Sequence, residues 1–527
     1  MGLCVSTNSR RQPIGRTEQR AISGAESQQQ RCASFSCYAY WLVSEHGTMG
    51  NRPRTASIHI LDDDSLLHVL YLYRPFLSGE DQDDNARLLG GNEIATRGRW
   101  WYKPAHVCQR WRNIIFSSAS YLGVFLLCTY GTPVADMLAY SPPLPLVIHY
   151  AMKGHDITTE DEKGIIIALT QRDRVLRVRL SAPDISLLEK LIAAMDEEYP
   201  ILEYLNIGPP IEDVSTMLIF SETLQAPHLR LLWLRGFTIP MGSRLLTTAV
   251  SLVTLSLLMV NPSTYFHPNT LIRWISLMPQ LETLSITFKI SIPNRDVEMQ
   301  LMHTPIIAPV TLPNLHFFQF RGVSTYLEAL VHRITAPRLE KLNIEFFNQL
   351  RFPVPCLLEF MNTTENLRFD TAGFRFSDGQ VNVAVYNREE TGYAFGVRIF
   401  SWHLDWQVSS MAQISNSLGQ MFSAVEHLAL THEVHGRSSE EHNEVDRNEW
   451  RKLLRSFRSV KTLSIDNGLV EDLSHCLKLG DGELLLELLP ELQELTYSGT
   501  GNNIGDKFTS LIDARRDAGR PIALVRT

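Results

Sequence analysis

Apolar residues recur along this chain in one frame, L-x-x-L-x-I, usually with proline two residues ahead. The stretch Pro279 to Ile286, PQLETLSI, shows it whole. Further copies are Leu202, Leu205, Ile207; Leu229, Leu232, Leu234; Leu252, Leu255, Leu257; and Leu281, Leu284, Ile286. They continue with Leu315, Phe318, Phe320; Leu339, Leu342, Ile344; Val425, Leu428, Leu430; Val460, Leu463, Ile465; and Leu492, Leu495, Tyr497. A weaker first copy is Val175, Val178, Leu180, and successive copies start about 23 to 35 residues apart, with one gap between Leu339 and Val425. The last two apolar positions of each copy alternate with polar ones, which predicts a short strand with one buried face. Amphipathic helical segments precede most copies: Leu187 to Met195, Leu271 to Met278, Leu327 to Ile334, Leu357 to Met361, Trp450 to Phe457 and Leu484 to Leu489. One helix–turn–strand unit cannot bury its apolar face alone, whereas a stack shares a continuous core.

The expected fold class is therefore α/β. The pattern resembles a leucine-rich-repeat-type solenoid over 128–527, without the asparagine that its strict consensus carries after the strand. The gap, 367–406, reads as a β-rich interruption. Phe374 and Phe376, then Val381, Val383 and Val385, alternate on either side of Asp378-Gly379 and predict a hairpin. Phe395 to Phe400 is a third strand, and a weak helix (Phe508 to Arg516) and a strand (Ile522 to Val525) come after the last copy.

Ahead of the repeats the pattern turns helical. Asp62 caps a helix carrying Leu66, Leu67, Val69, Leu70 and Tyr73, ended by Pro75. An acidic loop, Ser78 to Gly91, holds Glu80, Asp81, Asp83 and Asp84. Pro104 suits the first turn of another helix, striped with Val107, Cys108, Trp111, Ile114 and Ile115. Residues 58–127 resemble an F-box, the helical module that docks on the Skp adaptor of cullin–RING ubiquitin ligases. Leu61, Asp64, Leu66 and Val69 meet its opening consensus, with Asp62 where proline is usual. Val107, Cys108, Arg110, Trp111 and Arg112 meet its closing V-C-[RK]-x-W-R, with Gln109 inserted. Gly123 to Tyr150 is similar to the first layer of F-box proteins of mushroom-forming fungi. The resemblance implies adaptor-binding residues Leu61, Leu66, Val69, Val107, Cys108 and Trp111.

Composition narrows the function. The chain has 527 residues, 44% of them hydrophobic, enough for a large core and more than one part. Its net charge of -8 argues against a general nucleic-acid binder. Seven scattered cysteines show no zinc-ligand spacing and suit a reducing compartment, cytoplasmic or nuclear. Residues 1–57 are polar and expected to be disordered. Their first six fit an N-myristoylation pattern, with Gly2 as acceptor, Cys4 open to palmitate and nearby arginines for anionic lipid. Membrane contact is expected only if that terminus is acylated.

Catalytic constellations are absent from the sequence. There is no phosphate-cradling glycine loop and no G-x-S-x-G elbow. His432, His435 and His442, interleaved with glutamates, are spaced as a solvated loop and not as a zinc helix, so neither metal nor cofactor is expected. What remains is binding. Positions flanking the buried pair of each strand point outward, onto the concave side of the sheet. They include Arg177, Arg179, Tyr204, Asn206, Trp233, Arg235, Thr283, Ser285, Thr287, Phe317, Gln319, Arg321, Lys341, Asn343 and Glu345. Trp233, Arg235, Phe317, Arg321 and Lys341 are the residue types enriched at binding hot spots and are the expected target-binding residues. The expected function is the substrate-recognition subunit of an SCF-type ubiquitin ligase, not itself an enzyme. Its expected partners are a Skp-type adaptor, cullin ligase subunits and a protein target. The alternative is a repeat scaffold with no ligase link.

Overall fold

A computed structural model of the chain describes residues 61–75, 98–151, 155–182, 184–209, 218–260, 266–289, 309–347, 349, 351–364, 366–367, 369–387, 392–433, 447–478, 488–498 and 505–526. Gly2, Cys4 and the rest of the N-terminal stretch, the acidic loop 78–91, His435, His442 and most of the helix expected at Leu484 to Leu489 lie outside the described residues. The chain divides into two compact units, Met1–Leu66 and Leu67–Thr527. Asp62 of the first accepts a hydrogen bond from the Ser65 backbone N–H (2.6 Å) and so caps the start of the helix Asp63–Tyr73, as its sequence predicts.

The second unit is an α/β structure built on a sixteen-stranded, mostly parallel sheet with helices between most of its strands. Its strands in chain order begin with β1 (Leu126–Cys128), β2 (Leu146–Tyr150), β3 (Val175–Ser181) and β4 (Tyr204–Gly208). Then come β5 (Leu218–Ile219), β6 (Leu231–Arg235), β7 (Phe237–Thr238), β8 (Thr254–Val260), β9 (Thr283–Phe288) and β10 (Val310–Thr311). Next are β11 (Phe317–Gly322), β12 (Ile334–Thr335), β13 (Lys341–Phe346), β14 (Thr371–Ser377), β15 (Gln380–Tyr386) and β16 (Phe395–Phe400). The last are β17 (His427–Glu433), β18 (Thr462–Ile465), β19 (Glu494–Tyr497) and β20 (Ala523–Arg526). The sheet order is β1-β2-β3-β4-β6-β8-β9-β11-β13-β16-β15-β14-β17-β18-β19-β20, while β5–β7 and β10–β12 form two small parallel pairs.

Every copy of the apolar frame supplies a strand. Its last two apolar residues share one face of that strand and are buried, as with Leu205 and Ile207 on β4 or Leu284 and Ile286 on β9. Helices such as Pro268–Ile275, with Leu271, Ile272 and Ile275 buried, cover that face. Backbone hydrogen bonds link the turns ahead of neighbouring strands. The Glu203 carbonyl accepts from the N–H of Arg230 and Leu231, that of Arg230 from Val253 and Thr254, and that of Val253 from Glu282 and Thr283, at 2.8 to 3.1 Å. This ladder satisfies the backbone groups ahead of the strands whatever the side chains there. An aromatic cluster of Phe266, Phe288, Phe320 and Tyr326 fills the core behind β9 and β11, ring centroids 4.9 to 6.2 Å apart. Gly208 is required on β4: a Cβ there would stand 2.6 Å from that of Arg235.

The interruption is a hairpin, β14 and β15 turning at Asp378-Gly379, followed by antiparallel β16. It stays inside the sheet, because β16 pairs parallel with β13 and β14 pairs parallel with β17. The helix expected from Pro104 through Ile115 is instead two, Tyr102–Ala105 and Gln109–Ser117, with Cys108 extended between them. The Ala105 carbonyl accepts from Arg112 Nε (3.0 Å) in place of a helical N–H. Ile114 and Ile115 remain buried, whereas Val107 is 57% exposed.

Candidate functional site

With helices on one face of the sheet, no described helix covers its other, open face, and alternation fixes what that face displays. Ladder pairing sorts these positions into rows that cross the strands. One row runs Tyr204, Leu231, Thr254, Thr283, Phe317 and Lys341. The middle row runs Arg179, Asn206, Trp233, Ser256, Ser285, Gln319, Asn343, Gly396, Ala384, Gly373 and Ala429. A third row carries Thr287, Arg321, Glu345, Arg398, Asn382 and Arg375.

The expected target-binding residues all fall on this face. Phe317 and Lys341 are paired neighbours, with Arg321 on the same strand as Phe317. Trp233 and Arg235 lie on β6, separated from that group by β8 and β9. Lys341 is exposed, while Trp233, Phe317 and Arg321 are half-buried. Three expected outward residues are buried by neighbours on the same face. Ser285 donates to Gln319 Oε1 (2.9 Å), and Thr287 Oγ1 accepts from the Met259 N–H (2.9 Å). Glu345 lies between Arg398 Nη1 at 2.9 Å and Arg321 Nε at 3.6 Å. Arg398 Nε also donates to Asn382 Oδ1 (2.6 Å), and the Arg321 guanidinium sits 5.0 Å from the Phe400 ring centroid. Met259 reaches Thr287 from a β-bulge in β8, at a positive φ of 57°. Arg398, Asn382, Arg375 and Phe400 are site residues that the repeat frame does not single out, since they sit on the inserted strands. Alternation is the signal for them: Arg398 and Phe400 in FGVRIF, and Arg375 and Asn382 between the buried Phe and Val positions of the hairpin.

The face is basic. From β3 to β17 it carries Arg177, Arg179, Arg235, Arg321, Lys341, Arg398 and Arg375 against two carboxylates, Glu345 and Glu433. The chain as a whole is acidic, at -8. At the start of the strands a groove of about 840 Å³ is lined by Arg74, Arg177, Glu203, Arg230 and Glu282 among others. On β2, His149 is buried beside Arg179, and burial first and that cation second pull its pKa down to about 4.

The residues of the F-box resemblance separate by exposure. In the first unit Leu61 is 37% exposed and Leu66 fully buried. In the second, Val69 is 42%, Leu72 65% and Tyr73 60% exposed; at this spacing they share one helix face. Cys108 and Trp111 are half-buried.

Reactive chemistry is not evident among the described residues. Burial pushes the Cys128 thiol up to about 12, and burial with Glu328 alongside pushes Cys356 up to about 11, far from an activated thiolate. No described group of three His, Cys, Asp or Glu is placed to hold a metal ion. Nor is any described helix long and apolar enough to cross a membrane. The chain matches none of the models of known protein families, and no curated protein matches it in sequence.

Proposed function

We propose that this chain is the target-recognition subunit of a cullin–RING, SCF-type ubiquitin ligase. Its N-terminal helices dock on a Skp-type adaptor, and a leucine-rich-repeat-type solenoid presents its open face to a protein target. Ligation chemistry belongs to other subunits in this reading. One observation carries it: the first helix buries Leu70 but turns Val69, Leu72 and Tyr73 to solvent, an apolar face that invites a partner. Val107, inside the motif that resembles the closing F-box consensus, is likewise exposed. The basic, aromatic-bearing sheet face supports the second half of the reading.

Full-length chain is expected to bind a purified Skp adaptor in a calorimetric titration. Val69→Asp and Leu72→Asp alter exposed positions, so they should leave helicity intact and weaken binding more than about tenfold. Leu66→Ala should instead lower stability, since that side chain has no exposed surface. If the folded chain shows no adaptor binding at micromolar concentration, the ligase reading falls and the repeat scaffold replaces it.

A further inference from the structure

Resting on the reading of the open face as the target surface, we infer that the segment it takes is acidic and in polyproline II conformation, with a carboxylate at every third residue. The excess of cations on this face of an acidic chain sets the sign of the ligand by complementarity. The ladder sets its spacing. Arg321 pairs with Glu345, Glu345 with Arg398, Arg398 with Asn382 and Asn382 with Arg375. Arginine therefore recurs on every second strand, at a spacing of about 9.6 Å for strands about 4.8 Å apart. A polyproline II segment lying across the strands repeats every third residue, and about 3.1 Å per residue puts its same-side groups about 9.3 Å apart. A β-strand crossing the sheet would offer same-side groups about 6.6 or 13 Å apart, which match poorly.

The arginines are prepared to different degrees. Arg398 is fixed by Glu345 and Asn382, so little rotamer freedom is lost when it meets a ligand. Arg375 is paired with Glu433 at 3.5 Å, both exposed, a contact weak enough to exchange for a ligand carboxylate. Beside this row, Ala384 and Gly373 leave part of the middle of the face low: nothing but a backbone oxygen at 3.9 Å would meet a Cβ at Gly373, whereas the Tyr393 ring and Asn343 cover Gly396 next along the row. A ligand backbone can approach closely there.

Fluorescence anisotropy on the full chain tests this with a labelled (Glu-Pro-Ser)4 peptide. The expected result is binding about tenfold tighter than that of a peptide of the same composition with its glutamates adjacent, and weakening as salt rises. Arg375→Gln and Arg398→Gln should each weaken it three- to tenfold. Lys163→Gln, an equal change of charge at an exposed site on the helix Thr159–Leu169, should not. Thermal melting identifies any variant that has lost its fold, and the exposed Arg375 keeps the test valid should Arg398→Gln melt early. Equal affinity for both peptides, equal loss in Lys163→Gln, no binding, or tighter binding of oligouridylate than of peptide would each overturn the inference. Adaptor binding reads the N-terminal helices and none of these arginines, so the two readings stand or fall separately.

Discussion

His149 shows how burial turns one side chain into a pH-dependent cost. The ring lies on β2 beside Arg179, its Nε2 has no hydrogen-bond partner among the described residues, and its pKa drops from the ordinary 6.5 to about 4. Below pH 6.5 the unfolded chain takes up a proton there that the folded chain refuses. Stability is therefore retained above pH 6.5 and lost progressively as pH falls toward 4, by about 2 kcal/mol at pH 5 and about 3 kcal/mol in full. His149→Leu removes the titration with a side chain of similar size. Melting temperatures at pH 7 and pH 5 should then lie closer together than in the parent chain. An unchanged gap would mean that His149 is protonated with ordinary ease in the fold. Glu345, on β13 far along the sheet, is a buried charge handled differently. Its carboxylate is buried with two arginines around it, so its charge is compensated where it lies.

At the scale of elements, one helix start depends on a side chain from the helix before it. Pro355–Asn362 has Val354 at its N-cap, which offers no acceptor. Glu328, on Ser324–Val331, accepts from the N–H of Cys356 (2.7 Å) and Leu357 (2.9 Å) in its place. Burial outweighs these bonds and raises the Glu328 pKa, so its ionised form is disfavoured in the fold and its contribution falls as pH rises through that value. Glu328→Ala should cost about 1 to 2 kcal/mol in denaturant unfolding, as loss of a cap does. Glu328→Gln keeps an acceptor without the buried charge and should cost less at pH 7; equal losses would rule out a capping role. This interhelix cap was not legible in the sequence, because Glu328 and Cys356 are brought together only by the stack. The strands were legible, since period-two burial at Leu284 and Ile286 is a local signal. The hairpin was legible for the same reason, with Asp378-Gly379 at its turn. The break at Cys108 was not: it follows from the bond between Arg112 and Ala105, which competes with helix continuation over a stretch whose apolar spacing favours a single helix. Likewise the arginine row on the open face joins β11, β16 and β14, and the hairpin reverses strand order there, so chain order hides it.

Over the whole molecule, stability in a stacked sheet is shared between each unit and its neighbours, so one damaged layer is felt beyond itself. β9 tests this from both of its faces. Leu284 is fully buried on the helix side and pairs across the ladder with Leu255 and Phe318. Leu284→Asp places a carboxylate where it meets apolar neighbours, at a cost of several kcal/mol unless it takes up a proton. Thr283 is the adjacent residue, half-buried on the open face between Thr254 and Phe317. Thr283→Asp leaves its carboxylate in reach of water and should cost less than about 1 kcal/mol. Urea unfolding followed by circular dichroism should separate the two variants clearly. In the Leu284 variant, faster amide hydrogen exchange should extend to the paired strands β8 and β11, because each relies on β9 for ladder bonds and for covered apolar surface. Faster exchange confined to β9 would show that the layers are stabilised independently, and equal destabilisation by the two variants would mean that the faces of this strand are not divided as described.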